Sequence, residues 1–287
     1  MHQSRFTRGI PRNTIWTVAA VLPLLGLSSS SAEELRVLSW NVESGGNNPE
    51  KIAARIRSLN ADEYHIIALC EVYPRNYRRY AEAAGRRYRY VGSVTGGDDR
   101  LMILFDGSRL ALNSYSELFN QRADALNDSQ WRHRSPVVAR LYDRDTRIEF
   151  MFLLNHLARG NKRLRQSQAR GLRQWANEQD LPIIAAGDYN FDYDIRTEKG
   201  NRAFDLFREG GTWKWVVPEN KIDTNWSDEN GDRADDYPQS ILDFVFVAGA
   251  AQQWSSKCEI VVKRGEFPDN DDTSDHRPLS TTLQLRK

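Results

Sequence analysis

Polar residues recur at the ends of apolar, strand-forming runs along this 287-residue chain. Asn41 stands near the end of the run 35–42, and Glu71 stands near the end of the run 65–72. The other residues of this kind are Asn155, His156, Asp188, Asn190, Asp243, Asp275 and His276. Carboxylates and amides supply the oxygen atoms that hard divalent cations prefer, and imidazoles exchange protons near neutral pH. If the strand ends share one cleft, these residue types permit metal-assisted or acid–base chemistry.

Three competing chemistries lack their sequence signatures. No Gly-x-Ser-x-Gly motif occurs, and Cys70 lies in an apolar run, so the sequence does not favour a serine or cysteine nucleophile. No spacing of Cys and His suits a structural zinc ion. A phosphate-binding Gly-x-x-x-x-Gly-Lys loop is absent as well.

Strand and helix patterns alternate between these polar positions. The predicted strands cover 35–42, 65–72, 88–95, 101–106, 136–142, 147–155, 182–186, 241–247 and 279–285. Helices are predicted from Asn48-Pro49 onward, near 75–84 and over 162–177. Because some strands follow one another directly and others are separated by helices, we expect mixed sheets covered by helices. The acid-rich stretch 220–239 predicts a long surface loop within the same domain.

Six short stretches, in this order, resemble the endonuclease/exonuclease/phosphatase superfamily, which includes deoxyribonucleases, apurinic-site endonucleases, sphingomyelinases and inositol-phosphate phosphatases. They are LSWNV (38–42), CEV (70–72), LLNHL (153–157), GDYN (187–190), ILDFVFV (241–247) and SDHRPL (274–279). Each stretch is weak alone, but six in the family's order form a specific pattern. The resemblance implies an α/β fold, a four-layer sandwich of two packed mixed β-sheets flanked by helices.

The resemblance also implies a metal side and a proton-transfer side of one site. Glu71, helped by Asn41, would hold a divalent cation, and Asp275 resembles a further carboxylate on the metal side. Mg²⁺ is the expected ion, with Mn²⁺ or Ca²⁺ as alternatives. His276 would be the general base or the group that fixes the attacked phosphate, and Asp243 would orient its ring.

Three more residues complete the implied chemistry. Asp188 would orient or deprotonate the attacking water, and Asn190 would donate to a phosphate oxygen. His156 would donate to the phosphate or protonate the leaving group.

Substrate-binding positions are marked less clearly. Arg134 belongs to an Arg-Ser-Pro stretch that resembles the family's Arg-x-Pro near the phosphate cleft. Arg159 begins a basic segment that either grips a polyanion or forms a solvated helix face. Three tryptophans of the following region either stack on a base, insert into lipid or pack inside the protein: Trp213, Trp215 and Trp226.

The first 32 residues are typical of a signal peptide. Arg5, Arg8 and Arg12 precede an apolar run at 15–27, and small residues at 30–32 offer a cleavage site. The apolar run is shorter than the roughly 20 residues that span a bilayer, although an uncleaved anchor is the alternative. We therefore predict a removed leader, 1–32, and a catalytic domain, 33–287, located outside the cell or in a periplasm without stable membrane insertion.

Charge and cysteine content limit the possible partners. The chain has 40 Lys and Arg against 39 Asp and Glu, and the leader carries three of the arginines, so bulk positive charge cannot hold a nucleic acid. A polyanion would have to be held by a local basic patch or a metal ion. The two cysteines, Cys70 and Cys258, either pair after export or serve as small core residues.

The resulting hypothesis is a secreted, monomeric, divalent-metal-dependent phosphodiesterase, in the first place a nuclease acting on DNA or RNA. A phosphatase or sphingomyelinase-like phospholipid phosphodiesterase of the same fold is the second hypothesis. A non-catalytic extracellular binding protein is the third.

Overall fold

The computed structural model describes residues 1, 34–42, 48–60, 63–118, 126, 134–265 and 273–286. The predicted signal peptide lies outside these residues except for Met1. The strands, in chain order, are β1 (Glu34–Asn41), β2 (Ile66–Val72), β3 (Tyr88–Gly92), β4 (Arg100–Asp106), β5 (Leu110–Glu117), β6 (Val137–Asp143), β7 (Ile148–His156), β8 (Ile183–Asp194), β9 (Trp213–Trp215), β10 (Ser240–Ala248), β11 (Ser256–Ile260) and β12 (Leu279–Gln284). The α-helices of the described residues are α1 (Pro49–Leu59), α2 (Tyr77–Ala84), α3 (Lys162–Ala176) and α4 (Arg202–Arg208).

The strands form two mixed six-stranded sheets. Sheet 1 has the order β11-β12-β1-β2-β4-β3, and sheet 2 has the order β5-β6-β7-β8-β10-β9. Each sheet contains one parallel pair, β1 with β2 and β7 with β8, while the other neighbours are antiparallel. Polar side chains of both parallel pairs stand at their carboxyl ends, the edge at which open α/β sheets bind ligands.

Helices cover the outer faces, which gives four layers. On sheet 1, Leu38 and Ile67 pack with Ile52 and Ile56 of α1 and with Tyr80 of α2 in one apolar cluster. Helix α1 forms here because the Asn48 side chain accepts from the amides of its first turn and Pro49 occupies its first position. A second cluster fills the space between the sheets and continues onto α3 and α4 outside sheet 2. The predicted sandwich of two mixed sheets flanked by helices is confirmed.

Several elements escaped sequence prediction because they are short or polar. Strands β5 and β11 lie at sheet edges. Most residues of β5 are exposed or half-buried, β11 alternates buried with exposed residues, and β9 has only three residues. Cys258, expected in a polar connection, lies in β11. The polar edge of a sheet carries little apolar signal, so its sequence resembles a loop. The stretch 220–239 contains no helix or strand, as predicted.

The two cysteines are free and buried. They lie on β2 and β11, which β1 and β12 separate in sheet 1. Three strand spacings amount to roughly 14 Å, about twice the Cα separation that a disulfide tolerates. Cys70 and Cys258 therefore act as small core residues.

Trp213 and Trp215 pack inside the protein. Trp213 stacks on Phe207 of α4 with ring centroids 4.9 Å apart, and Trp215 contacts Phe244 of β10 at 5.3 Å. Both side chains are buried, so neither can stack on a base or insert into lipid. Within the described residues, none of the helices has the length and apolar character needed to cross a membrane.

Candidate active site

The two parallel strand pairs bring polar side chains from both sheets into one cluster. Sheet 1 contributes Asn41 and Glu71, while sheet 2 contributes side chains of β7, β8 and β10. The Asn41 amide nitrogen donates to the Glu71 carboxylate at 3.0 Å and to the Asp188 carboxylate at 3.2 Å. One amide group therefore joins carboxylates of opposite sheets.

A β-bulge in β2 turns Glu71 into this cluster. The pairing of β2 with β4 shifts between Leu69 and Val72, and both of these side chains pack on the helix-covered face. Cys70 and Glu71 between them both face the sandwich interior, because Glu71 adopts a left-handed backbone with φ of 56°. A non-glycine residue in this region is strained, and such strain concentrates at functional sites.

Strand β8 carries two candidate residues, and Gly187 lets it approach β7. Gly187 has φ of 131°, and a Cβ there would lie 1.9 Å from the carbonyl oxygen of Asn155. Asp188 then pairs with His156 in the parallel ladder. The Asn190 side-chain amide donates to the Leu157 carbonyl at 3.0 Å, and its φ of 51° is also left-handed.

Ligand-capable atoms converge in two overlapping groups. Glu71, His156 and Asp188 form one group, and Asp188, Asp243 and His276 form the other, each with its atoms within 4.8 Å of one another. The His156 Nε2 atom lies 3.7 Å from Glu71 Oε1 and 3.4 Å from Asp188 Oδ2. Two adjacent carboxylates repel each other unless a cation or donor lies between them.

His276 is held by Asp243. The Nδ1 atom of His276 lies 2.7 Å from Asp243 Oδ2, and both side chains are buried. Burial alone would lower the pKa of His276, but the negative charges of Asp243, Asp275 and Asp188 raise it well above its ordinary value. The Nε2 atom lies 3.9 Å from Asp188 Oδ2, so the protonated ring presents a charged donor to the cluster.

Asp99 is a site residue that sequence reasoning missed. Its Oδ2 accepts from the Arg134 guanidinium, and its Oδ1 lies 3.7 Å from Nδ1 of His156. Burial would raise the pKa of Asp99, but the charges of His156 and Arg134 outweigh it and lower the pKa. Asp99 lies in a turn before β4 that has no motif, so only the folded chain shows that it stands beside His156.

The remaining predicted site residues lie around the cluster. Asp275 belongs to neither ligand group, and its Oδ1 is 3.8 Å from His276 Nε2. Arg134 donates from Nε to the His156 carbonyl at 3.2 Å, which anchors the backbone of the site. The Trp226 side chain is half-buried, and its backbone N–H donates to the Asp275 carbonyl at 2.9 Å. Arg159 lies outside the cluster, 3.6 Å from Glu229.

The donor set fits a hard divalent cation better than a soft one. Glu71 and Asp188 offer carboxylate oxygens at one point, and the nearby groups are amide and imidazole rather than thiolate. The Cys70 thiol contacts the site through a backbone carbonyl, because its Sγ donates to the Asn155 carbonyl at 3.5 Å. Burial raises the pKa of this thiol well above its ordinary value, so it stays protonated and unreactive.

The family model described as "Endonuclease/Exonuclease/phosphatase family" matches residues 38–276. The chain therefore belongs to this family, whose enzymes depend on divalent metals and hydrolyse phosphate esters. The resemblance drawn from six short stretches is confirmed. No curated protein matches the chain.

Solved structures of low sequence identity share the fold. A family protein from Bacteroides thetaiotaomicron is 18% identical with a TM-score of 0.69, covering 88% of this chain and 98% of that one. A mannosyl-6-phosphatase from the same organism is 18% identical with a TM-score of 0.65, covering 88% and 100%. TDP2 of D. rerio, complexed with a single-stranded DNA product, is 18% identical with a TM-score of 0.65, covering 88% and 99%.

Proposed function

We propose that this protein is a Mg²⁺-dependent hydrolase that cleaves phosphate esters by attack of water. The observation that carries the proposal is the convergence of Glu71 from sheet 1 with His156 and Asp188 from sheet 2, next to the group of Asp188, Asp243 and His276. A phosphate ester is anionic and a poor electrophile, so its hydrolysis needs charge neutralisation and a positioned water. The cluster combines two carboxylates that attract a cation with imidazoles that attract a phosphate.

Each group has a role that follows from its contacts. Glu71 and Asp188 would hold the ion, and Asn41 keeps the two carboxylates in place. A bound Mg²⁺ supplies charge neutralisation and polarises the phosphate oxygen. His276, charged and fixed by Asp243, donates to a phosphate oxygen from Nε2. His156, with the Asp99 carboxylate 3.7 Å from its Nδ1 atom, faces the same point from β7 and would donate to the leaving oxygen.

The direct test is hydrolysis by purified protein with Mg²⁺ and with a chelator. The substrates are plasmid DNA, RNA, sphingomyelin, bis-p-nitrophenyl phosphate and p-nitrophenyl phosphate. We expect metal-dependent turnover that Glu71→Ala and His276→Ala abolish. If the wild-type protein is inert toward all five but binds a ligand tightly, the non-catalytic alternative is favoured instead.

The first substrate class is nucleic acid. Helix α3 presents Lys162, Arg163 and Arg170 to solvent beyond the site, and exposed cations of this kind contact a phosphate backbone. The structural neighbour TDP2 was solved with a single-stranded DNA product. Of the other basic residues, Arg165 and Arg173 bond to Ala158, Arg159 and Leu206 carbonyls and stabilise the fold instead.

The second substrate class is a small phosphomonoester. A cleft beside the site is lined by three carboxylates, Asp192, Asp194 and Glu229, and by three cations, Arg159, Lys162 and Arg165. This balanced set of charges suits a neutral group attached to the phosphate. One of the structural neighbours is a mannosyl-6-phosphatase. Rates on phosphomonoesters and on oligonucleotides, measured at the same enzyme concentration, separate the two classes.

Export is part of the proposal and rests on the sequence of residues 1–32. In the native host, the intact mass of the purified protein should correspond to a chain that begins at Glu33. A cellular protein that retains Met1 and stays with the membrane fraction would indicate the uncleaved anchor.

A further inference from the structure

A cleft of about 660 Å³ opens beside the candidate catalytic cluster. Strands and loops that carry the cluster also line this cleft. Asp192 follows Asn190 by two residues in β8, and the backbone of Asn225 bridges to that of His276. The wall residues used below are Arg159, Asp192, Asp194, Asn225, Glu229 and Tyr237.

An unsatisfied polar atom lies in the wall of this cleft. Asn225 is fully buried, and its Oδ1 has no hydrogen-bond partner in the part of the chain that the structure describes. Its amide nitrogen makes a single contact among those residues, 3.4 Å to the Trp226 carbonyl. A buried amide oxygen without a hydrogen bond costs free energy, which a ligand hydroxyl that donates to Oδ1 would recover.

The charges of the cleft suit a neutral ligand with many hydroxyl groups. Asp192 and Glu229 have side chains that are 54% and 59% exposed, so their oxygens can accept from a ligand. A backbone hydrogen bond from Thr197 lowers the pKa of Asp194, which is therefore ionised at neutral pH. Three cations of the same cleft, Arg159, Lys162 and Arg165, balance the three carboxylates. Hydroxyl groups donate to carboxylates and accept from cationic N–H groups, so a neutral ligand can use both kinds of side chain.

An aromatic ring completes the wall. Tyr237 is 45% exposed, and its hydroxyl donates to Glu229 Oε1 at 3.2 Å. The Arg159 guanidinium lies 5.7 Å from the centre of the ring, so the tyrosine is held in a defined position. Binding pockets combine such an apolar surface with a few convergent polar groups.

We propose that this cleft binds the sugar of a sugar phosphomonoester, next to the phosphate at the catalytic cluster. The inference rests on the proposed phosphoester hydrolysis and selects its second substrate class. Water forms the new bond to phosphorus, and the bond between phosphorus and the sugar oxygen breaks. The sugar oxygen takes a proton, so the products are inorganic phosphate and the free sugar.

The test compares hexose phosphates with a substrate that lacks a sugar. Mannose 6-phosphate, glucose 6-phosphate, p-nitrophenyl phosphate and a short single-stranded oligonucleotide are assayed with Mg²⁺. For Asn225→Leu and Tyr237→Ala, the ratio of kcat/KM for a hexose phosphate to that for p-nitrophenyl phosphate should fall at least about tenfold, since a site built for hydroxyl groups discriminates through them. Tyr115→Ala, an exposed tyrosine on β5, is the matched control and should leave the ratio unchanged.

The outcomes separate this inference from the proposed function. If the wild-type protein hydrolyses p-nitrophenyl phosphate or the oligonucleotide but neither hexose phosphate, the cleft assignment is wrong and the hydrolase assignment stands. If the ratio of kcat/KM for a hexose phosphate to that for p-nitrophenyl phosphate is unchanged in Tyr237→Ala, the cleft assignment is also wrong. If the wild-type protein hydrolyses no phosphate ester, the cleft assignment and the hydrolase assignment are both wrong.

Discussion

Individual residues in this site depend on unusual backbone conformations. Glu71 and Asn190 both have positive φ: the Glu71 side chain accepts from Asn41 in the cluster, and the Asn190 side chain donates to the Leu157 carbonyl beside it. Such strain persists where surrounding contacts fix the residue. The fold therefore fixes the positions of both side chains.

Glu71→Gln tests the metal ligand at this scale. The substitution keeps the volume and the hydrogen bond from Asn41 but removes the charge that attracts a cation. We expect activity at a fixed Mg²⁺ concentration to fall by roughly two orders of magnitude or more, with partial recovery at higher Mg²⁺. Glu259→Gln, an exposed carboxylate on β11, serves as the control and should retain full activity. A Glu71→Gln enzyme with wild-type metal dependence would contradict the assignment.

Asp243→Asn tests whether His276 needs a charged partner. The 2.7 Å contact between them holds the ring and stabilises its proton. We expect kcat to fall roughly 10²–10⁴-fold, the range for loss of a positioned acid–base group, in protein that is still folded at the assay temperature. If activity is lost only because the variant is unfolded at the assay temperature, the role of Asp243 is purely structural.

At the scale of elements, the site depends on how closely β7 and β8 approach. Gly187 is the point of contact, since its φ and the nearby Asn155 carbonyl leave no room for a side chain. The approach sets His156 opposite Asp188 in the parallel ladder. Gly187 in β8 thus positions His156 and Asp188 next to each other.

Gly187→Ala should separate the two strands. A Cβ 1.9 Å from the Asn155 oxygen must move one backbone, so we expect a loss of roughly 2 kcal/mol or more in the free energy of unfolding, together with loss of activity. Chemical denaturation followed by tryptophan fluorescence measures the change. At Gly160 an added Cβ meets nothing within 4 Å, so Gly160→Ala should leave stability nearly unchanged.

At the scale of the whole molecule, polar contacts join the sheets at the end opposite the site. Arg109 and Asp143 form a buried ion pair at 2.6 Å, and Arg109 also donates to the Glu34 carbonyl of β1. His65 accepts from the Arg36 backbone at 2.9 Å and lies 3.1 Å from Arg109. These contacts fix one end of the sandwich while the other end holds the catalytic groups.

Asp143→Asn removes the nearer of two carboxylates that pair with the buried Arg109, since Asp145 lies 3.6 Å from its Nε atom. We expect a loss of about 2–3 kcal/mol in the free energy of unfolding, somewhat less than the cost of a wholly uncompensated buried charge. Denaturant titration provides the value. Replacing Glu82, whose ion pair with Arg78 is exposed on α2, should cost far less. Equal costs for the two substitutions would contradict this account.

His65 makes the fold sensitive to acid. Burial and, after it, the charge of Arg109 lower the pKa of His65 from 6.5 to about 4. As the pH falls, His65 is protonated in the unfolded chain near pH 6.5 but in the folded chain only near pH 4. The stabilisation is therefore fully present above pH 6.5 and is lost progressively as the pH falls toward 4. Because the ring is partly exposed, we expect a contribution of roughly 2 kcal/mol at most. Unfolding measured between pH 7 and 5 should show a weaker pH dependence in His65→Gln than in the wild-type protein.

Much of the site could be predicted because each motif is local. Asn41, Glu71, His156, Asp188 and His276 each adjoin an apolar run, so residue type and position identify them without the fold. Asp275, predicted on the metal side, lies 3.8 Å from His276 and outside both ligand groups, and its role as a ligand stays a prediction. Its distance from Glu71 is set by β2 and by the segment before β12, which no local pattern reports.

The sequence by itself determined the family, the positions of the central strands along the chain and the residue types available for chemistry, since apolar periodicity and short motifs are local properties. Only the tertiary structure decided which side chains meet. The bulge that turns Glu71 inward depends on its pairing with β4, and Asp99 reaches His156 across 57 positions of sequence through contacts between sheets. The cleft at Asn225 likewise exists only where distant loops close on one another. Side-chain direction in a strand follows from register and backbone conformation, and both are fixed by partners far away in the chain.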